Sequence, residues 1–296
     1  MSIKNVMIIG AGGNLGPAVL KAFLADSSFT TTVLSRNGSS STFPSGVKVV
    51  HADYDSVSSL KGAFQGQDAV ISLVAGVALG DQNKLIDAAI AAGVQRFLPS
   101  EFGGNTTDKR ARDIVPVFEA KVAAVNYLRS KEGQISWTSV SNGAFLDWGL
   151  QVGFLGFNGS TKTATLFDEG KAVFSATNLH QVGLALIKVL EKADLTRNQY
   201  VWVNSFQTSQ QDILKTVEKI TGTQWTVEKQ STKKLIEEGR AKLQRQDFSA
   251  VGDLIQAMIF GAEDYLCDIS GQGLWNEKLG LPKEDFEATL KSALGL

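Results

Sequence analysis

Short apolar runs alternate with amphipathic stretches through the first half of the chain. The apolar runs predict β-strands at residues 4–9, 30–35, 47–51, 69–74, 94–98 and 135–140. The amphipathic stretches predict helices near residues 15–25, 56–64, 81–92 and 116–131. Strands that alternate with helices are typical of a parallel sheet that helices cover on both faces. The pattern therefore predicts a doubly wound α/β fold, with the carboxyl ends of the strands along one edge.

The second half of the chain has a looser pattern. Two apolar runs flank Asp168–Lys171 and predict a β-hairpin of residues 163–167 and 172–175. The remaining predicted elements are strands at residues 199–204 and 225–229, with helices at 178–191, 208–220, 231–244, 248–266 and 282–294. Because no long Ser/Gly tract separates the halves, we expect residues 1–150 and a smaller α/β part, residues 151–296, to pack directly together, with some later elements returning to the first sheet.

A glycine loop joins the first predicted strand to the first predicted helix. Gly10, Gly13 and Gly16 form a GxxGxxG pattern, and Pro17 suits the first turn of a helix. Glycines at these positions allow a tight turn, close approach of a pyrophosphate and close packing of helix on strand. The helix N-terminus also attracts phosphate, so the loop predicts a Rossmann-type dinucleotide site. The loop residues expected to contact the cofactor are Gly10, Gly12, Gly13, Asn14, Leu15 and Gly16.

The end of the second predicted strand indicates which dinucleotide binds. An NAD site places Asp or Glu there to hold the ribose 2′-hydroxyl, and none is present in Ser35-Arg36-Asn37. Arg36 and its neighbours instead suit a 2′-phosphate through charge-assisted hydrogen bonds. The sequence therefore predicts that the chain binds NADP(H) and that Arg36 contacts it.

Composition and charge narrow the class of protein further. The chain has 296 residues, 43% of them hydrophobic, and a net charge of −1, which disfavours nucleic acid and anionic membranes as partners. Cys267 is the only cysteine in the sequence, so no intramolecular disulfide forms and a cytoplasmic location is expected. No signal-peptide pattern and no membrane-spanning apolar run are evident. His51 and His180 lack neighbours at ligand spacing, so no metal site is predicted.

The run Arg96–Gly103, which contains Leu-Pro-Ser-Glu-Phe-Gly, ends a strand at the expected ligand edge. Together with the glycine loop and Arg36, it closely resembles the isoflavone-reductase-like branch of the NmrA-like family. These are atypical short-chain reductases that include phenylcoumaran benzylic ether, pinoresinol-lariciresinol and isoflavone reductases and eugenol synthase. The resemblance covers residues 1–150 well, and the remainder only in general layout. It implies an NADPH-dependent reductase with a catalytic lysine.

The resemblance assigns the catalytic role to Lys121, because Val117–Lys121 matches the family's lysine segment. The strand end Val140–Phe145 matches a second segment, although an ungapped alignment places Gly143, and not Asn142, at the family's asparagine. Further cofactor contacts implied by the resemblance are Val74, Ala75, Ser100, Phe102, Lys121, Asn142, Gly143 and Phe145.

The residues around Lys121 independently support general acid/base chemistry. A lysine in a first helical turn, beside Phe118 and under an apolar crevice, would be partly desolvated, which lowers its pKa toward neutrality. Tyr127 and Lys131 form the Tyr-x-x-x-Lys pair of ordinary short-chain dehydrogenases, but they fall near the end of the helix, away from the expected nicotinamide position. We therefore favour Lys121 over that pair.

Four aromatic residues follow the sixth predicted strand: Phe145, Trp148, Phe154 and Phe157. They would either line a pocket for an aromatic substrate or belong to the core, and the sequence leaves both readings open. We assign Phe145, Trp148 and Phe154 as candidate substrate contacts.

The function predicted is NADPH-dependent reduction of a small aromatic or enone-type substrate by a monomer or homodimer. The family mechanism implies that Lys121 removes a phenolic proton, that a leaving group departs, and that the resulting quinone methide accepts hydride from the cofactor; for an enone, Lys121 would instead stabilise the enolate. The alternative from another class is an NmrA-type redox-sensing regulator that binds NADP without turnover. An epimerase or dehydratase would need the Tyr127 and Lys131 pair.

Overall fold

The computed structural model describes residues 2–261 and 265–296. Its strands, in chain order, are β1 (Asn5–Ile9), β2 (Thr30–Arg36), β3 (Lys48–Ala52), β4 (Ala69–Ser72), β5 (Arg96–Leu98), β6 (Ser136–Ser141), β7 (Ala144–Phe145), β8 (Phe157–Asn158), β9 (Thr163–Phe167), β10 (Val173–Thr177), β11 (Gln199–Trp202), β12 (Phe206–Ser209) and β13 (Thr226–Gln230). Its α-helices are α1 (Gly16–Ala25), α2 (Val57–Phe64), α3 (Gln82–Ala91), α4 (Lys109–Ile114), α5 (Phe118–Ser130), α6 (Leu146–Gln151), α7 (Leu179–Glu191), α8 (Gln210–Thr221), α9 (Thr232–Gln244), α10 (Ala250–Phe260), α11 (Asn276–Leu279) and α12 (Phe286–Leu294).

The central sheet has the strand order β11-β6-β5-β4-β1-β2-β3, and its neighbouring strands pair in parallel. The order reverses between β1 and β4, which is where doubly wound folds hold their ligands. The predicted Rossmann-type fold class is confirmed. The predicted strand 69–74 ends early, at Ser72, because Leu73 and Val74 leave the sheet beside the glycine loop.

Helices cover both faces of this sheet, as the alternation of buried side chains along β1 illustrates. Val6 and Ile8 belong to a core that they share with α1 and α7, whereas Met7 and Ile9 pack in a second core with α2, α3 and α5. Parallel strands that are buried on both faces are typically apolar along their length, which explains the continuous hydrophobic run of β1.

The second part of the chain forms two small sheets, and here one prediction is wrong. The runs 163–167 and 172–175 do not pair as a hairpin: β9 pairs with β8 and β13, and β10 pairs with β7 and β12. The intervening turn has positive φ at Asp168, Glu169 and Gly170 and directs the chain from one sheet to the other. The Asp168 carboxylate accepts hydrogen bonds from the Thr232 amide and hydroxyl, so the turn anchors α9.

Two later elements bring the C-terminal part into the central sheet. Strand β11 extends that sheet beside β6, and α7 packs against α1. The predicted helix 248–266 ends earlier, at Phe260, because Gly261 takes an extended conformation; residues 262–264 lie outside the described part of the chain. Leu266 and Cys267 lie in a turn, and the Cys267 carbonyl accepts a hydrogen bond from the Ser175 amide of β10.

Candidate active site

The glycine loop follows β1 at the carboxyl edge of the sheet, and two of its glycines are required by the chain's own packing. A Cβ on Gly10, whose φ is +79°, would lie 2.7 Å from the Leu73 carbonyl oxygen. A Cβ on Gly16 would lie 2.3 Å from the Ala11 carbonyl oxygen. These distances are too short for non-bonded atoms, so only glycine fits at either position. The absence of a side chain there permits the close turn from β1 into α1.

Gly13 has a different environment, because a Cβ there would meet no protein atom closer than the Gly10 carbonyl oxygen at 3.4 Å. Gly13 borders the cavity described below, together with Asn14 and Leu15. Leu15 precedes the first turn of α1, where Pro17 lies as expected and where no side chain among the described residues caps the helix. The backbone at the loop is thus open to the cavity at a helix N-terminus, a geometry that suits a phosphate group.

The loop after β2 lies beside the glycine loop. A Cβ on Gly12 would lie 2.7 Å from the Ser41 hydroxyl oxygen, so the two loops are in contact. Arg36 is the last residue of β2 and its side chain is exposed. Within residues 2–261 and 265–296 its guanidinium forms no salt bridge, and an incoming phosphate would not compete with a carboxylate for it.

A cavity of about 370 Å³ opens between the glycine loop, the ends of β4, β5 and β6, and α10. Most candidate residues from the sequence meet around it. Those that line it are Gly13, Asn14, Leu15, Val74, Ala75, Ser100, Phe102, Lys121, Gly143, Phe145, Trp148 and Phe154. Those that do not line it are Gly10, Gly12 and Gly16 within the loop, Arg36 on the adjoining edge, and Asn142.

Ser100 ties together the ends of neighbouring strands at the floor of the cavity. Its hydroxyl donates a hydrogen bond of 2.6 Å to the Val74 carbonyl oxygen, and its amide donates one of 2.7 Å to the Gln82 side chain. The side chain is buried. Ser100 therefore fixes the backbone that borders the cavity.

Lys121 lies in the first turns of α5 and reaches the cavity with its ammonium group almost completely buried. Its Nζ donates hydrogen bonds to the carbonyl oxygens of Glu101, at 3.0 Å, and Phe102, at 2.8 Å. It also lies 4.9 Å from the centre of the Phe118 ring. Burial lowers the pKa of Lys121, and the nearby Glu101 carboxylate partly offsets this.

Glu101 is a second buried titratable group next to this lysine. Its side chain is 1% exposed, and the Thr106 hydroxyl donates a hydrogen bond to its Oε1. Among the described residues its Oε2 has no hydrogen-bond partner. Burial raises the pKa of the Glu101 carboxyl to about 7, against the opposing effects of Lys121 and Thr106.

The strand end after β6 turns sharply at Gly143, which only glycine can occupy. Its φ is +66°, and a Cβ there would lie 2.0 Å from the Ser175 carbonyl oxygen. The amides of Asn142 and Gly143 both donate to the Gly103 carbonyl oxygen, at 3.1 Å and 2.9 Å. The Asn142 side chain is buried behind this turn, where its Nδ2 donates to the Gly143 carbonyl oxygen. Gly143, and not Asn142, thus borders the cavity.

Aromatic side chains form one wall of the cavity. Phe145 and Trp148 meet edge to face with ring centres 6.3 Å apart, and Trp148 lies 5.7 Å from Phe154. Phe157 instead packs against Trp225 in the core of the C-terminal part, with its side chain 1% exposed. Phe145, Trp148 and Phe154 therefore border the cavity, whereas Phe157 belongs to the core.

Sequence reasoning missed the opposite wall, which α10 supplies. Its cavity-lining residues are Val251, Gly252, Ile255, Met258 and Ile259. Their spacing at i, i+4, i+7 and i+8 marks one face of a helix, a pattern that the sequence displays but that does not show what the face covers. Cys267 also lines this side, and burial raises the pKa of its thiol to about 12, so it is not poised as a nucleophile.

The Tyr-x-x-x-Lys pair lies away from the cavity. The Tyr127 hydroxyl donates a 2.6 Å hydrogen bond to Asp87 on α3 in an exposed position, which raises the pKa of Tyr127. Lys131 is the C-terminal cap of α5 and lies 5.1 Å from the Tyr127 ring centre. Neither residue borders the site that Lys121 reaches.

The described part of the chain offers neither a metal-binding cluster nor a helix that could span a membrane. Residues 2–261 and 265–296 hold no cluster of three or more His, Cys, Asp or Glu side chains placed to bind a metal. No α-helix in that same part has the length and hydropathy needed to cross a bilayer.

Comparisons with known proteins place the chain in a family. The model of the NmrA-like family matches residues 2–255. "Oxidoreductase aprR" of Aspergillus flavus is 42% identical over 231 residues, or 77% of each protein. "Oxidoreductase poxI" of Penicillium oxalicum is 30% identical over 292 residues, which are 97% of this chain and 92% of that protein. The structure of leucoanthocyanidin reductase with NADPH from Vitis vinifera superposes with a TM-score of 0.79 at 20% identity and covers 99% of this chain and 100% of that one.

Proposed function

We propose that this chain, an oxidoreductase that belongs to the NmrA-like family, transfers hydride from NADPH to a small aromatic or enone-type molecule, with Lys121 as the general acid or base. The observation that carries the proposal is the position of Lys121. Its buried Nζ borders the same cavity as the glycine loop, at the carboxyl edge of the sheet where such folds bind dinucleotides.

The hydrogen bonds of Lys121 support its role as acid or base. Two positions on Nζ point to the carbonyl oxygens of Glu101 and Phe102, so one position remains. In the ammonium form this position carries a proton, and in the amine form it carries the lone pair. A molecule bound in the cavity would accept a hydrogen bond from this position in the ammonium form, or donate a proton to it in the amine form. The lowered pKa of Lys121 brings both forms closer to neutral pH, as acid/base catalysis requires.

The residues present fit an NADP(H) cofactor. The cavity border at Gly13 leaves space next to the backbone at the start of α1, which suits a pyrophosphate. Arg36, the last residue of β2 and without a salt bridge in the described part of the chain, suits the 2′-phosphate. The reductase from Vitis vinifera, whose structure was solved with NADPH, has the same fold. When bound, NADPH supplies the hydride.

The cavity wall indicates the chemical class of the substrate. Among the described residues that line the cavity, Lys121 is the one with a charged side chain. Phe145, Trp148 and Phe154 provide flat apolar surface on one side and α10 provides aliphatic surface on the other. A neutral aromatic or conjugated molecule with one hydroxyl or carbonyl group would satisfy both walls and the lysine.

Lys121 would act differently toward the two kinds of substrate. Toward a phenol that carries a leaving group on a conjugated benzylic carbon, the neutral amine of Lys121 accepts the hydroxyl proton as the leaving group departs, and the quinone methide that results accepts hydride at that carbon. Toward an enone, the ammonium stabilises the enolate oxygen that forms as hydride adds to the β-carbon. The carbonyl oxygens of Glu101 and Phe102 hold Nζ in place through either change. The apolar walls exclude water, which strengthens the interaction between Nζ and the developing charge.

The test is an NADPH-consumption screen over phenylpropanoids, isoflavonoids, quinones and enones, followed by substitutions at Lys121. We expect Lys121→Ala to lower turnover by about 100-fold or more, as for loss of a general acid/base, with NADPH affinity within a few-fold of wild type. Lys121→Arg keeps the charge but cannot give up its proton, so it should be similarly impaired when the lysine acts as a base.

Tyr127→Phe is the matched control and should retain nearly full turnover. Full turnover in Lys121→Ala together with loss in Tyr127→Phe would transfer the role to the Tyr-x-x-x-Lys pair. If no compound is reduced while NADPH and NADP⁺ bind with different effects on a protein partner, the chain is a redox-sensing regulator instead.

A further inference from the structure

The Glu101 carboxyl is a buried titratable group that the proposed chemistry does not use. It lies between β5 and α4, where the Thr106 hydroxyl donates to Oε1 and where, within the described residues, nothing donates to Oε2. Glu101 does not line the cavity, and its side chain is 1% exposed. A carboxyl in such a place is costly when ionised, so its presence calls for an explanation beyond local packing.

Glu101 is held in fixed geometry to Lys121, because the lysine Nζ donates a 3.0 Å hydrogen bond to the Glu101 carbonyl oxygen. The same residue thus positions the ammonium through its backbone and acts on it through its carboxylate charge. Each group stabilises the charge of the other: the carboxylate raises the pKa of Lys121 against burial, and the ammonium lowers the pKa of Glu101 against burial. Low polarity around the pair strengthens this mutual effect.

The charged and titratable groups on the neighbouring elements have other partners. Arg112 of α4 donates to the Thr106 carbonyl oxygen and pairs with Glu119. Tyr200 of β11 is affected by the Glu101 charge, but burial raises its pKa far above neutral, so it stays uncharged. Arg129 of α5 lies against the rings of Trp137 and Tyr200. Lys121 is therefore the buried cation on which the Glu101 charge acts.

We propose that Glu101 is a positioning residue whose buried carboxylate sets the proton affinity of Lys121, and with it the pH at which the lysine changes from acid to base. This inference rests on the proposed role of Lys121. Without the carboxylate, burial would lower the pKa of Lys121 with no opposing charge from Glu101. The Lys121 ammonium would then lose its proton at a lower pH.

The test measures the titration of Lys121 directly and needs no substrate. The full chain, saturated with NADP⁺ and labelled with ¹³C and ¹⁵N in lysine, is titrated by NMR, and the Lys121 signal is identified by its absence in Lys121→Ala. Glu101→Gln keeps the shape of the side chain and an oxygen that accepts the Thr106 hydrogen bond, but it removes the negative charge. We expect it to lower the pKa of Lys121 by about one unit, a tenfold weaker hold on the proton.

Glu119→Gln is the matched control, because it neutralises an exposed glutamate on α5, the helix that carries Lys121. It should leave the pKa of Lys121 unchanged. If Glu101→Gln does not fold, Thr106→Val serves in its stead: it removes the hydrogen bond that favours the ionised carboxylate, so the Lys121 pKa should fall in the same direction by less. With a substrate from the screen, the rising limb of the kcat/KM profile should move to lower pH in the same variants.

An unchanged Lys121 titration in folded Glu101→Gln, or in Thr106→Val in its place, would overturn this inference. That outcome is separable from failure of the proposed function, which full turnover in Lys121→Ala would show. A shifted Lys121 titration supports the inference even before a substrate is known.

Discussion

At the scale of single residues, we expect Arg36 to decide which cofactor is preferred. Its guanidinium would bind only the phosphate that distinguishes NADPH from NADH. We expect Arg36→Ala to weaken NADPH binding about tenfold or more, since a hydrogen bond to a charged group contributes about 1.5–3 kcal/mol, and to leave NADH nearly unchanged. Calorimetry with both cofactors measures this. Arg245→Ala, at the exposed end of α9, is the control. Equal losses for both cofactors would make Arg36 structural.

The sequence predicted some single residues well and others not at all. The glycine spacing and the segment around Lys121 are local patterns, and those residues lie at the edge of the sheet where the patterns suggested. Glu101 is buried beside Lys121 of α5, which follows it by 20 residues, and the turn next to Asn142 is fixed by the carbonyl oxygen of Ser175. Such contacts arise only from tertiary packing, which spacing does not encode.

At the scale of elements, Gly252 is an unusual residue for the first turn of α10. A Cβ there would meet only Phe154, at 3.8 Å, so packing allows alanine, and helix propensity favours it. We expect Gly252→Ala to stabilise the fold by roughly 0.4–1 kcal/mol but to raise KM for the widest substrates, because the new methyl group borders the cavity beside Phe154.

Gly62→Ala in α2 is the matched control, since a Cβ on Gly62 would meet no atom within 4 Å and Gly62 does not line the cavity. It should stabilise the fold without any change in KM. Thermal unfolding and steady-state kinetics on both variants separate the two effects. Unaltered kinetics in the bulkier Gly252→Leu would show that α10 does not limit substrate size.

Elements in the first half followed the hydrophobic pattern, except that β4 ends early, at Ser72, and that the short helices α4 and α6 were not predicted. The wrong strand pairing and the largest error in element length fall in the second half. The hairpin at Asp168–Lys171 was wrong because positive φ values and the Thr232 hydrogen bonds make the turn a connection between sheets. The helix that ends at Phe260 was predicted too long. Apolar residues recur near Cys267, but there they pack in a turn whose backbone accepts a hydrogen bond from β10, and they do not extend the helix. A hydrophobic pattern marks burial but not the partner that buries it.

At the scale of the whole molecule, stability should depend on the buried Glu101 carboxyl. Burial raises its pKa from 4.5 to about 7, so between these values the folded chain holds a proton that the unfolded chain has lost. The free energy of unfolding should therefore fall as pH rises through this window. The full shift of roughly 2.5 pKa units corresponds to about 3 kcal/mol at most.

Denaturant unfolding at pH 4.5 and pH 8 checks this prediction. Glu101→Gln should remove much of the fall, so that its stability changes less than that of wild type between the two pH values, whereas Glu119→Gln should follow the wild-type pH dependence. A wild-type stability that is flat or that rises across the window, with Glu101→Gln parallel to it, would contradict the prediction.

The return of α7 and β11 to the first sheet has a consequence for how the chain is made. A ribosome releases residues 1–150 first, but the helix that covers Val19 and Val140, and the strand that pairs with β6, come from residues 179–202. Until these residues leave the exit tunnel, one face of the nascent sheet has α1 but lacks α7, and one edge lacks β11. We therefore expect residues 1–150 to complete their core only after residues 179–202 have emerged, when more than two-thirds of the chain has been synthesised.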